Sequence, residues 1–114
     1  MNINLNNKKF KALDNSSNGD VTADTIFHYR QEGDKIWASY AGGNIELGTL
    51  IGKLNDNKII LIYQQLNLKG EFLTGVCNTE ITIKNEKIQL NEKWQWTCKD
   101  YSKGDSLLEE IKSS

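Results

Sequence analysis

The sequence predicts an all-β protein, a small antiparallel up-and-down meander of roughly eight strands that closes into a barrel. Three observations predict it. Lys87 to Cys98 reads KIQLNEKWQWTC, with Ile88, Leu90, Glu92, Trp94, Trp96 and Cys98 on one side and Lys87, Gln89, Asn91, Lys93, Gln95 and Thr97 on the other. That is the period-two pattern of a strand with one dry and one wet face. Pro is absent while Gly numbers 9, so turns rest on Gly, Asn and Asp, as in tight β-hairpins. No segment sustains helical periodicity; LLEEI within Ser106–Ile111 alone suits a helical turn.

The elements follow in order. Lys9–Leu13 is the first strand. Thr25–Gln31 and Lys35–Ala41 join through Gly33-Asp34, a two-residue turn with Gly first, which pairs Phe27 with Tyr40 and Tyr29 with Ala38. His28, Arg30, Trp37 and Ser39 then take the opposite face. Gly42-Gly43 fits the next turn, into Asn44–Leu54. Asn55-Asp56-Asn57-Lys58 leads into Lys58–Leu66 and pairs Leu54 with Ile59, Gly52 with Leu61 and Leu50 with Tyr63. Inward parity changes between Leu47 and Leu50, which predicts a bulge at Gly48.

Leu68-Lys69-Gly70 fits a three-residue loop, with Gly70 at positive φ, before Glu71–Lys84. It pairs Gln65 with Leu73, Tyr63 with Gly75 and Leu61 with Cys77. Asn85-Glu86 turns into Lys87–Cys98 and pairs Ile83/Ile88, Ile81/Leu90, Thr79/Glu92, Cys77/Trp94, Gly75/Trp96 and Leu73/Cys98. Both hairpins turn the same residues of their shared strand inward, and a one-residue slip would destroy that agreement. Tyr40 to Gly52 weakly echoes Tyr63 to Gly75: an aromatic, a loop, Gly, a short apolar run, Gly. Ser106–Ile111 is the last strand. A long meander must hide its edges, and closure of first strand on last does so. The expected barrel is lipocalin-like or calycin-like in outline, with a strongly curved open sheet as the alternative.

The 114 residues suit one domain, 1–114, with one core. Charged residues are 25% and the net charge is −1, so no field of one sign draws nucleic acid or an anionic membrane. The opening MNINLNNKKF lacks the apolar run of a signal peptide, and no later stretch suits a membrane-spanning helix. A cytoplasmic location is the expectation. Cys77 and Cys98 share a face of adjacent strands, but Trp94 stands opposite Cys77; the expectation is buried, unbridged thiols.

Glu92 stands on a dry face beside Trp94, which implies either an internal partner or a bound molecule. Arg30 or a Lys at the barrel mouth could pair with it, and Thr79 offers a hydroxyl from across the ladder. The rings of Phe27, Tyr29, Tyr40, Tyr63, Trp94 and Trp96 all project inward in this register. They line a pocket for a small, partly apolar molecule, or they simply fill the interior. The candidate ligand site is therefore Glu92, Trp94, Trp96, Tyr63, Tyr29 and Tyr40. His28, the sole His, falls on the outer face without metal-binding neighbours. The polar run Asn15, Ser16, Ser17, Asn18 and Gly19, with Asp20 and Asp24, reads as a solvated loop or a lid over a ligand. Asp105–Glu110 reads as an acidic surface. No catalytic triad, phosphate loop or dinucleotide fingerprint is present, so no catalytic residue, metal or cofactor is expected.

Four phrases carry a resemblance: FHYRQEGDKIWASYAGG, GTLIG at Gly48–Gly52, LTGVC at Leu73–Cys77 and LNEKWQWTCKDYSKGDSLLEEI. From about Phe10 to Ile111 the chain resembles a group of short bacterial proteins often labelled N-acetylglutamate synthase. The resemblance implies acetyl transfer, which calls for helices and a Gln/Arg-x-x-Gly-x-Gly/Ala loop to hold coenzyme A. This sequence offers neither; the nearest spacing, around Gln64–Gly70, falls in a strand and hairpin loop. Three functions stand. The first is non-enzymatic binding of a small molecule inside the barrel. The second is a filled-core interaction module or homodimer, working through Trp37, His28 and Arg30 or through Ile60 and Ile62. The third is the acetyl transfer that the resemblance implies.

Overall fold

The computed structural model describes residues 3–16 and 19–112. Its eight strands are β1 (Lys8–Asn15), β2 (Ile26–Glu32), β3 (Lys35–Gly42), β4 (Ile45–Asn55), β5 (Lys58–Asn67), β6 (Phe72–Lys84), β7 (Lys87–Trp96) and β8 (Lys103–Ile111). Each pairs antiparallel with the next, and β8 returns to β1, with Lys9 opposite Ile111 and Ala12 opposite Leu108. The barrel is closed, so the open-sheet alternative does not hold.

The hairpin registers expected from the turns are those observed. Phe27 faces Tyr40, Leu50 faces Tyr63, Tyr63 faces Gly75, and Thr79 faces Glu92. Gly33 at φ 62, Gly70 at φ 80, and Asn85 and Glu86 at φ 52 and 65 supply the left-handed conformations these turns require.

Three details differ from expectation. The β3–β4 turn is Gly43-Asn44, because Gly42 still pairs with Ile45 at the end of β3. A side chain at Gly42 would also collide, its Cβ falling 2.2 Å from the Asp24 carbonyl oxygen. The β4 bulge falls between Ile45 and Leu47, ahead of Gly48. The Tyr40 ring lies over Gly48, which takes the inward place and turns Leu47 outward. The β7 ladder stops at Trp96, so Leu73 and Cys98 do not pair within it. The last strand forms as expected: across LLEEI, Ser106, Leu108 and Glu110 point in along β8, which is paired on both sides, and no helical turn forms there.

The two barrel ends differ. At the end carrying the β2–β3, β4–β5 and β6–β7 turns, the interior is solid, with Ile36, Ile59, Ile81, Leu90 and Leu108 essentially unexposed. Each such side chain contributes about 1.5–3 kcal/mol on burial. The segment before β1 plugs this end: Leu5 is fully buried. The Leu5 N–H donates to Gln31 Oε1 at 2.9 Å, and Gln31 Nε2 donates to the Ile3 carbonyl at 3.3 Å. Glu110, 7% exposed, is held there by Lys8 Nζ at 3.3 Å and the Ile88 N–H at 3.1 Å.

Toward the other end, three aromatics each stand opposite a glycine: Tyr40 and Gly48, Tyr63 and Gly75, Trp94 and Gly104. The missing side chain is where the ring lies. An ideal Cβ on Gly104 would fall 2.2 Å from Trp94 Cζ2, and one on Gly75 would fall 2.2 Å from the Tyr63 hydroxyl. Gly75 also pairs with Trp96 on its other side, but the ring over it is that of Tyr63. Gly104→Ala should therefore destabilise the protein by about 1–3 kcal/mol in urea unfolding. In a Trp94→Ala background the same change should cost nothing. An equal cost in both backgrounds would dissociate the glycine from the ring.

Candidate functional site

The alternation of β7 turns Glu92, Trp94 and Trp96 to the interior, where they border a cavity of about 50 Å³. Phe27, Tyr40 and Tyr63 from β2, β3 and β5 complete its aromatic wall. Phe27 and Tyr40 stack with centroids 4.6 Å apart. Trp96 meets Trp94 at 5.4 Å and the edge of Tyr63 at 5.8 Å. A bound water needs about 10–15 Å³ by this measure, so the cavity suits a fragment of a few heavy atoms. A larger occupant requires the rings to move.

Polar groups gather along one side. Trp94 Nε1 donates to Asn15 Oδ1 at 3.2 Å, and Asn15 Nδ2 donates to the Val21 carbonyl at 2.8 Å. These bonds tie the end of β1 and the segment after it to the wall. The Tyr40 hydroxyl donates to Gln65 Oε1 at 2.9 Å. Gln65 Nε2 and Asn67 Nδ2 each donate to Asp20 Oδ2 at 3.4 Å, which brings Asp20 to the cavity.

Glu92 is half-buried in the wall and accepts the Ser106 hydroxyl at 2.7 Å, directly across the β7–β8 ladder. Loss of water pushes its carboxyl up to about 7, and the Ser106 bond holds it back only in part. Arg30, the cation expected to pair with it, lies outside the barrel against Asn7. Thr79 faces Glu92 in the ladder but contacts Cys77 Sγ at 3.5 Å. Burial raises the pKa values of Tyr40, Tyr63 and Cys77 far above their ordinary values, so all three stay protonated at neutral pH.

Five of the six candidate residues, Glu92, Trp94, Trp96, Tyr63 and Tyr40, border this cavity. Tyr29 does not. It is fully buried, with the edge of its ring pair against Phe10 at 5.1 Å, and its hydroxyl has no partner among the described residues. Asn15 and Asp20 of the polar run reach the cavity, Asp24 is exposed, and Ser17 and Asn18 lie outside the described residues. Ser106 and Gln65 were not singled out. Gln65 was legible as inward from its pairing with Leu73; Ser106 needed the β7–β8 register, which no tight turn announces. Cys77 is buried and Cys98 partly so, both as free thiols. Among the described residues no cluster suits a metal ion.

A closed eight-stranded antiparallel barrel whose aromatic-walled cavity sits inside one end is a calycin-like barrel. The family model described as "Avidin-like protein" matches residues 3–111, and the chain belongs to that family. No curated protein and no solved structure matches the chain. The family match is to barrels and lends no support to the N-acetylglutamate synthase resemblance.

The position of Glu92 has a measurable consequence. Its folded-state pKa lies above the usual carboxylate range, so the native state holds a proton that the unfolded chain has released between about pH 4.5 and 7. Stability should fall as pH rises through that window, by at most about 3 kcal/mol. Glu92→Gln should flatten this dependence and raise Tm at pH 8. Thermal unfolding from pH 5 to 8 tests it; parallel curves for the two proteins would show that Glu92 ionises without strain.

Proposed function

We propose that the barrel binds a small, partly apolar molecule in the cavity bordered by Glu92, Trp94, Trp96, Tyr63 and Tyr40, and that it does so without catalysis. The observation that carries this reading is the placement of a desolvated carboxylate inside a half-open aromatic wall, where a filled core would gain from an apolar residue. Polar groups kept at a cost in stability are characteristic of binding sites. Membership of the avidin-like family supports the same reading, since its barrels bind small ligands such as biotin. Biotin exceeds the cavity as it stands, so its entry would require displacement of Trp94 or Trp96.

The three Trp allow a direct test. Trp94 and Trp96 border the cavity, whereas Trp37 faces outward at 41% exposure and serves as an internal reference. Titration with biotin and a fragment library should move the indole N–H resonances of Trp94 and Trp96 and leave that of Trp37 in place. Native mass spectrometry of protein purified gently from lysate should show an added mass that is lost on denaturation. If no compound moves either cavity indole and the native mass is bare, the interior is only a core.

A second reading has its own support. Trp37, Ile51, Ile62 and Val76 stand side by side across β3, β4, β5 and β6, and all face out. With Ile60 and Phe72 this apolar face suits a second copy of the chain. Sedimentation should then show a dimer that Ile62→Lys dissociates; a monomer at every concentration would end this reading.

A further inference from the structure

Among the described residues, the charged ones bordering the cavity are both acids, Glu92 from β7 and Asp20 from the segment before β2; no Lys, Arg or His is among them. The hydrogen bonds that these carboxylates accept there come from neutral donors: the Ser106 hydroxyl for Glu92 and the Gln65 and Asn67 amides for Asp20. Around them stand Phe27, Tyr40, Tyr63, Trp94 and Trp96. We propose that the natural occupant is a small organic cation, a protonated amine or guanidinium on a short apolar body, with its charge against Glu92 and Asp20 and its body among the rings. This rests on the reading of the cavity as a binding site and adds the chemistry of what enters.

Three physical arguments converge. A carboxylate partly withdrawn from water and matched by neutral donors is stabilised most by a positive partner, and an anion would meet two like charges. Aromatic rings attract cations through the negative face of the π-system, most strongly where water is excluded. A bare metal ion is a poor alternative, because Ca²⁺ takes about six to eight oxygens and no cluster of three ligands exists among the described residues. The cavity of about 50 Å³ limits the head group to a few heavy atoms.

Proton linkage follows with a defined sign. A cation favours ionised Glu92, so its affinity should rise with pH through about 7, where the free carboxyl is half ionised, and level off once ionisation is complete. The other titratable groups facing Glu92 are Tyr29 on β2, Tyr40 on β3, Tyr63 on β5 and Cys77 on β6, all kept neutral by burial, with Asp20 as the second acid at the cavity.

Matched pairs of equal shape test the inference: methylguanidinium against methylurea, and ethylammonium against ethanol, followed by the Trp94 and Trp96 indole resonances. At pH 8 at least one cation should bind tenfold or more tightly than its neutral twin. That preference should shrink toward pH 5.5 and vanish in Glu92→Gln, which retains a hydrogen-bonding side chain. If neutral twins bind as well as the cations, or better, the cation assignment falls while the cavity remains a binding site. If only neutral members of a wider fragment set move the cavity indoles, the outcome is the same. If nothing moves them, both readings fall together.

Discussion

An eight-stranded barrel has room inside for side chains and little else, and this limit governs the molecule. Large rings enter only where the opposite strand gives up a side chain. Tyr40 uses Gly48, Tyr63 uses Gly75 and Trp94 uses Gly104. Glycine weakens a strand in isolation, but here the covering ring restores the buried surface that the missing side chain would have supplied. The wall of the cavity is thus specified twice, once by the aromatic and once by the absence facing it. The aromatic-walled cavity lies toward one end, because branched aliphatic residues and Leu5 fill the interior at the other.

Polar atoms inside the barrel divide in the same way. At the plugged end Glu110 is matched by a cation and a backbone N–H, and there a carboxylate serves the structure. At the cavity Glu92 has a neutral hydroxyl partner and is held short of full ionisation. The two inward acids have opposite surroundings, and the difference separates a structural residue from a candidate working one.

Much of this was legible in the sequence, for a mechanical reason. Tight turns fix register, register fixes parity, and parity assigns each side chain to the inside or the outside. The agreement of the hairpins at Gly70 and Asn85-Glu86 by itself places Glu92, Trp94 and Trp96 on the inward face. Parity says nothing of depth along the barrel axis, which is why Tyr29 shared a face with Tyr40 and yet lies away from the cavity. The β4 bulge was anticipated, but Leu47 is apolar and was assigned inward; the space under the Tyr40 ring accepts only Gly48. Ser106 was missed because β7 and β8 are joined by residues 97–102, whose sequence dictates no register. The plug before β1 left no periodic signature at all.

The seam between β1 and β8 joins Lys9 to Ile111, nearly the full length of the chain. During synthesis the first strand must wait, with one edge unpaired, until the last has left the ribosome. No earlier strand can close the circle in its place, because each inner strand already has two neighbours. The closed barrel therefore depends on a contact between residues far apart in sequence, a topology that is slow to form and exposed to strand exchange with neighbouring chains while the edges stay open. The vulnerable moment in the life of this protein is the interval before its two ends meet.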